Sequence, residues 1–218
     1  MSEPLRDAWL AGDPPADPLP RLRDWIEEAR ACADLSEPEA AALATVEPDG
    51  RPSARIVAVR GLDVARGVAT FYTDRRSRKG AALAAHPRAA LVFHWDRFGR
   101  QARLEGPVTL ASDAESDAYF ASRHPESRLA ARASEQSRPI ASRATLVERW
   151  RATAARFPDA DAIPRPPDWG GYHVWIERIE LWASRPHRLH DRLAWERALV
   201  AEGNAYRGGA WCAERLQP

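Results

Sequence analysis

Lysine is almost missing from this chain: of its 32 lysine and arginine residues only Lys79 is a lysine. Schiff-base chemistry would have to run through that one amine. Cysteine is as scarce, and Cys32 and Cys212 lack the paired spacing of a zinc site or a redox CxxC motif. Two ordinary reduced thiols are expected. No apolar run is long enough to span a bilayer, and the opening MSEPLRDAWLAGDPPADPLP carries charge and proline where a secretory signal needs an apolar stretch. A cytoplasmic protein with no membrane partner is expected. Charge of one sign is also lacking: 32 basic residues meet 31 acidic ones, a net +1, which argues against nucleic acid as the main partner.

Several catalytic signatures are absent too. There is no GxGxxG turn for a dinucleotide, and no serine sits in a GxSxG elbow. His86, His94, His124, His173, His187 and His190 show no metal-ligand spacing beyond HRLH, so no metal is expected. Glu105, Glu115 and Asp117 offer carboxylates at a commonplace spacing, which leaves a hydrolase poorly supported.

What is present is core material. With 218 residues, 44% of them hydrophobic, the chain can bury one substantial core. The expected organisation is a flexible, proline-rich arm over residues 1–17 and one domain over 18–218. Leu22, Trp25, Ile26 and Ala29 recur at helical spacing and predict an amphipathic helix. From Ala41, AALATV, the turn EPDG and RIVAVR read as a hairpin. VATFYT reads as another strand, after which Ser77 caps a helix through RKGAALAA that ends at His86 and Pro87. AALVFHW and RQARLEGPVTLA are further strands. Residues 112–157 turn helical, and a helix from near Ser142 carries Leu146, Val147, Trp150, Ala154 and Phe157 along one side. PRPPDWGG breaks the chain before the strand-like YHVWIERIELWAS, HRLHDRLAWERA and WCAERLQP. Strands joined by short turns, with helices irregularly between them, predict a mainly β, α+β chain: an antiparallel barrel with flanking helices.

Two segments gather groups suited to anions. Ser77-Arg78-Lys79-Gly80 follows a strand and opens a helix, bringing N–H groups, a hydroxyl, a guanidinium and an ammonium together. The same text also fits a solvated helix start. In Arg188-Leu189-His190-Asp191-Arg192, strand alternation places two guanidiniums and an imidazole on one face, with Leu189 and Asp191 on the other. A solvent-facing strand edge reads equally well. Gln101, Gln136 and Ser137 suit a heterocycle's polar edge but are also ordinary surface residues, and Trp169 and Trp182 read first as core.

The order of these pieces carries more than any one of them. The run from RIVAVRGLDVARGVATFYTDRRSRKG to AALVFHW, then RQARLEG, ESDAYFASRHPESRLAARASEQS, PRPPDWGGYHV and IELWASRPHRLHDR together resembles the pyridoxamine 5′-phosphate oxidase family over roughly residues 18–218. The resemblance implies a Greek-key FMN-binding split barrel, a homodimer with FMN at the subunit interface. It implies oxidation of pyridoxamine 5′-phosphate and pyridoxine 5′-phosphate by O2. FMN contacts fall by position on Arg55, Ile56, Val57, Ala58, Val59, Arg60, Tyr72, Thr73, Arg78, Lys79, Gln101, Gln136, Ser137, Trp182 and Arg192. Substrate contacts fall on Arg60, Tyr119, Arg123, Ser127, Arg188, Leu189 and His190, with Arg188 and His190 at the reacting end. Three positions depart from the family pattern: Arg60 stands where lysine is usual, and Arg128 and Arg132 where glutamine and tryptophan are usual. Two rivals stay open: a related flavin oxidase acting on a secondary metabolite, and a non-catalytic split-barrel protein binding FMN, pyridoxal phosphate or haem.

Overall fold

The computed structural model describes residues 7–159 and 162–218. Strands β1 (Ala40–Val46), β2 (Pro52–Asp63) and β3 (Val68–Asp74) follow one another as antiparallel neighbours. The chain then crosses through helix α2 (Arg78–Ala85), and β4 (Arg88–Trp95) returns beside β1. The spatial order 4-1-2-3 is a Greek key.

Strand β5 (Arg100–Leu110) pairs with β4 along one edge and has two partners on the other. Its first half, Arg100–Glu105, pairs with β7 (Arg178–Ala183), while Val108–Leu110 pair with β6 (Trp169–Trp175). Because β6 also pairs with β3, a six-stranded antiparallel barrel closes in the order β4-β1-β2-β3-β6-β5. Gly106 marks the change of partner: a Cβ there would lie 1.8 Å from the Trp175 carbonyl oxygen, so any side chain would prise the two sheets apart. Beyond β7 the sheet continues outward through β8 (Asp191–Glu196) to β11 (Cys212–Arg215).

Among the described residues five helices flank this sheet: α1 (Leu19–Ala31), α2, α3 (Asp113–Ser122), α4 (Pro125–Ala133) and α5 (Arg143–Arg156). None is long and apolar enough to cross a membrane. Leu22, Trp25, Ile26 and Ala29 of α1 are buried as their spacing predicts, and they join barrel residues such as Leu43, Phe71, Leu91, Phe93, Leu104 and Leu181 in one core. Each such side chain contributes roughly 1.5–3 kcal/mol by leaving water. A second, smaller cluster of Phe120, Leu129, Ile163 and Trp169 lies under α3–α5, with Tyr72, Tyr119, Trp150, Ala154 and Phe157 packed on it.

Four expectations change. The helical stretch 112–157 is three helices, because Ser112 and Glu115 form a reciprocal capping box and Pro125 starts a new helix. Leu146 is exposed, outside the apolar side it was expected to share. The hairpin β9 (Leu199–Glu202) and β10 (Ala205–Gly208) was not anticipated. Residues 7–17, expected as a loose arm, are held against the domain. Leu10 is fully buried, the Asp7 carboxylate accepts from Arg100 Nε at 2.6 Å and from Trp25 Nε1 at 2.9 Å, and Trp195 Nε1 donates to the Pro15 carbonyl. Their partners are far along the chain, which local composition does not reveal. The rest of the arm, residues 1–6, lies outside the described residues.

Candidate active site

The barrel strands, α2 and the α3–α4 corner form an open cavity of about 430 Å³ lined by Ile56, Val57, Ala58, Arg60, Tyr72, Thr73, Lys79, Tyr119, Arg123, His124, Ser127, Gln136 and Trp169. Most of the side chains expected at the cofactor and substrate thus meet at one place.

Arg60 reaches the cavity through a bulge. In the β2–β3 ladder Val59 pairs with Phe71 and Gly61 with Thr70, which leaves Arg60 as the extra residue, turned out of the regular alternation. Its guanidinium is tied to Glu39, whose other oxygen accepts from Arg30 Nε of α1 at 2.8 Å. Burial opposes the Arg60 charge, but the hydrogen bond to Glu39 and the nearby Tyr119 hold the guanidinium above its ordinary value.

Lys79 is presented by the start of α2. The Ser77 hydroxyl caps the helix by accepting from Gly80 N, and Gly80 is required because a Cβ there would sit 2.0 Å from the Arg75 carbonyl oxygen. Lys79 is 9% exposed, and its ammonium donates to Ser77 Oγ at 3.2 Å and Gln136 Oε1 at 2.7 Å, both uncharged. Thr73 Oγ1 donates to the same Gln136 oxygen at 2.8 Å. Burial, with the Arg55 guanidinium adding to it, pushes Lys79 down to about 8. Arg55 itself donates to the Leu43 carbonyl, Thr45 Oγ1 and Ser53 Oγ, and burial lowers its pKa. Arg78 Nε lies 3.1 Å from Glu47 Oε1 and is exposed. Ser137, also exposed, takes a left-handed φ of 71° just after Gln136.

Arg123 ends α3, and Ser127 lies in the first turn of α4. The Arg123 guanidinium stands 4.9 Å over the Trp169 ring, and its Nη1 is buried without a hydrogen-bond partner. Burial and the like charge of Arg60 lower its pKa, against an opposing effect of Tyr119. Tyr72, Tyr119 and Trp169 form an aromatic stack on the same side, with Tyr72 and Tyr119 centroids 3.9 Å apart.

The remaining expected residues lie elsewhere. Gln101 and Trp182 are cross-strand partners on β5 and β7, and Arg192 follows on β8. Arg192 pairs with Glu180 at 2.9 Å and donates to the Gln217 carbonyl, so its charge is largely matched within the chain. His190 lies 4.6 Å from the Trp182 ring, and Leu189, His190 and Arg192 line a separate cavity of about 370 Å³ with the C-terminal residues. The two linings share no residue.

Expected strand alternation through Arg188, His190 and Arg192 does not hold. Pro186–Arg188 form a 3-10 turn in which His187 and Arg188 have left-handed φ of 59° and 64°, and the strand begins only at Asp191. Side chains at 188 and 190 are therefore set by a turn, not by a pleat. Arg128 and Arg132 do not line the larger cavity; Arg132 donates to the Pro164 carbonyl and lies 5.0 Å over Phe157. Of the three departures from the family pattern only Arg60 touches the site. Glu39, which pairs with Arg60, and Arg185, which bonds His190 and Asp191, were not anticipated, and nothing in local spacing marks either.

A profile of the family described as pyridoxamine 5′-phosphate oxidase matches residues 26–156, well over half of the chain. The chain belongs to the pyridoxamine 5′-phosphate oxidase family. A second profile, the pyridoxine 5′-phosphate oxidase C-terminal dimerisation region, matches residues 169–218. Among relatives of this family, the pyridoxine/pyridoxamine 5′-phosphate oxidase of Burkholderia multivorans is 50% identical over 206 residues, 94% of this chain and 91% of that one. The same-named protein of Gluconobacter oxydans is 46% identical over 203 residues, 93% of this chain and 95% of the other. Among solved structures, PhzG from Burkholderia lata in complex with tetrahydrophenazine-1-carboxylic acid superposes with a TM-score of 0.81 at 33% identity, covering 94% and 95% of the two chains.

Proposed function

We propose that this chain is a pyridoxine/pyridoxamine 5′-phosphate oxidase that binds FMN, uses O2 as electron acceptor and releases H2O2, with each site built from two copies of the chain. The relatives at 46–50% identity over more than nine-tenths of the chain support the activity. The observation that carries the site assignment is a cavity lined by two cations without a paired carboxylate, Lys79 and Arg123, each with a second guanidinium close by, Arg55 beside Lys79 and Arg60 beside Arg123. Two phosphates, one on the flavin and one on the vitamer, suit two such groups.

The residues present fit FMN. The buried Lys79 ammonium has only neutral hydrogen-bond partners, and Arg55, Arg78 and Ser137 stand in the neighbouring segments. Backbone of Ile56–Arg60, with Tyr72, Thr73 and Gln136, would hold the ring system. When bound, FMN supplies the hydride acceptor and passes the electrons to O2. The chain's own share is placement. Arg123, whose buried Nη1 lacks a partner, would take the vitamer phosphate with Arg60, Tyr119 and Ser127. The stacked aromatic side chains narrow the space beside it.

Arg188 and His190 of a second copy would meet the carbon that loses hydride, and Gln101, Trp182, Leu189 and Arg192 would close the site around it. The match of residues 169–218 to a dimerisation region supports this division. Holding the phosphate at one end and the reacting carbon at the other makes hydride transfer effectively unimolecular.

Purified protein should be yellow, carry one FMN per subunit, run as a homodimer and take up oxygen with either phosphorylated vitamer. A protein that binds FMN and turns over neither vitamer would instead favour a secondary-metabolite oxidase, and a colourless protein that takes up no added FMN would overturn the reading.

A further inference from the structure

The loop that carries Arg188 and His190 is closed at its base by one side chain. Arg185 Nε donates to Asp191 Oδ2 at 2.6 Å across the loop, and a second nitrogen, Nη2, donates to the Asp7 carbonyl at 3.2 Å. The backbone N–H of Arg185 donates to His190 Nδ1 at 3.1 Å, and Leu189 N returns to the Pro186 carbonyl. Within that closure His187 and Arg188 are consecutive non-glycine residues in the left-handed region. Such conformations persist only where the surroundings over-determine them. Asp7 is itself fixed, its carboxylate gripped by the buried Arg100.

We infer that Arg185 is a positioning residue for the reaction: through Asp191 and the docked N-terminal segment it holds Arg188 in its left-handed conformation and fixes His190 as one tautomer. Because Nδ1 accepts the Arg185 N–H, the neutral ring carries its proton on Nε2 and offers that N–H toward the reacting end. The Trp182 ring beside it limits the imidazole's rotation. This inference rests on the placement of Arg188 and His190 at the reacting end.

The test compares FMN-loaded parent enzyme with Arg185→Ala, Arg185→Lys and Asp191→Asn, and uses His190→Asn and Arg188→Ala as controls for the site itself. Anaerobic flavin reduction by pyridoxamine 5′-phosphate should slow tenfold or more in Arg185→Ala and Asp191→Asn, while FMN affinity and KM stay within about twofold of the parent. Arg185→Lys should recover part of the rate, since an ammonium still pairs with Asp191. Nitrogen-15 shifts of the His190 ring should report the Nε2–H tautomer in the parent and a mixture in Arg185→Ala, which keeps the backbone N–H at 185 but loses the side-chain hold on the loop that aligns it with Nδ1. Folding is checked by FMN content, so a misfolded variant is replaced by the isosteric Asp191→Asn. If the control substitutions slow reduction and those at 185 and 191 do not, or if the parent ring is the Nδ1–H tautomer, the positioning role is wrong. If the controls change nothing, the placement of the reacting end falls, and this inference with it.

Discussion

Lys79 provides a quantitative test of where the flavin phosphate lies. Its ammonium is buried against neutral partners, and its pKa falls from 10.5 to about 8. In the free protein the charged form is disfavoured, a cost fully present below pH 8 and relieved as the pH rises from about 8 towards 10.5. This group thus makes the ligand-free protein more stable over that window. A phosphate beside it reverses the situation. If the bound anion restores the ordinary pKa, FMN binding above pH 8 takes up a proton, and the complete shift is worth at most about 3 kcal/mol, less what solvent screening removes. The FMN dissociation constant should then rise up to ~30-fold between pH 7 and 9.5, whereas that of riboflavin should not. Flavin fluorescence quenching across a pH series measures both, and Lys79→Met should flatten the FMN curve. An FMN affinity in the parent that is level from pH 7 to 9.5, or that falls in parallel with riboflavin, would refute the placement.

Further outcomes follow from the same geometry. Arg123→Leu should raise KM for pyridoxamine 5′-phosphate about 10- to 100-fold, through loss of a charge-assisted contact of ~1.5–3 kcal/mol, with a much smaller effect on the unphosphorylated amine; steady-state oxygen uptake reads the difference. Asp7→Ala removes the bidentate partner of the buried Arg100, which keeps Glu28 at 2.7 Å, and should cost about 1.5–3 kcal/mol in denaturant unfolding. Burial holds His173 below 6.5, so this group withdraws stability as the pH falls below that value; His173→Gln should lessen the acid sensitivity in melts from pH 7 to 5.

The amino-acid sequence made the barrel and the α2 start legible because both are written locally. Ser77, Lys79 and Gly80 belong to one strand-to-helix junction, and each residue type has a local reason to be there. Alternating strands with short turns likewise predict antiparallel neighbours. Where the outcome depends on pairing between distant segments, the signal stops. The text of β5 is continuous, yet its outer edge is shared between β7 and β6, and only Gly106 hints at the exchange. Arg60 was placed at the site through family resemblance, but its bulge exists only in register with β3. Strand alternation failed at Arg188 and His190 because it presumes an extended backbone, and the left-handed turn there is imposed by Arg185, Asp191 and Asp7. Glu39 lies 21 residues from the arginine it holds, a separation with no periodic signature.

The division of the expected site within one chain has a structural logic. The cations proposed to bind phosphate stand on barrel strands and on helices packed against them, where the buried Lys79 and the half-buried Arg123 have no paired carboxylate. The residues assigned to the reacting end stand on the outer extension of the sheet, beyond β7, on a turn that carries strain. Ile56 in the cavity wall and Leu189 on that turn are each 68% exposed, and covering either would remove apolar surface from water. Bringing the turn of one copy to the cavity of another would cover such surface and supply the missing side of the site together. Activity would then require the dimer as firmly as it requires FMN, because neither half holds both the phosphate and the reacting carbon.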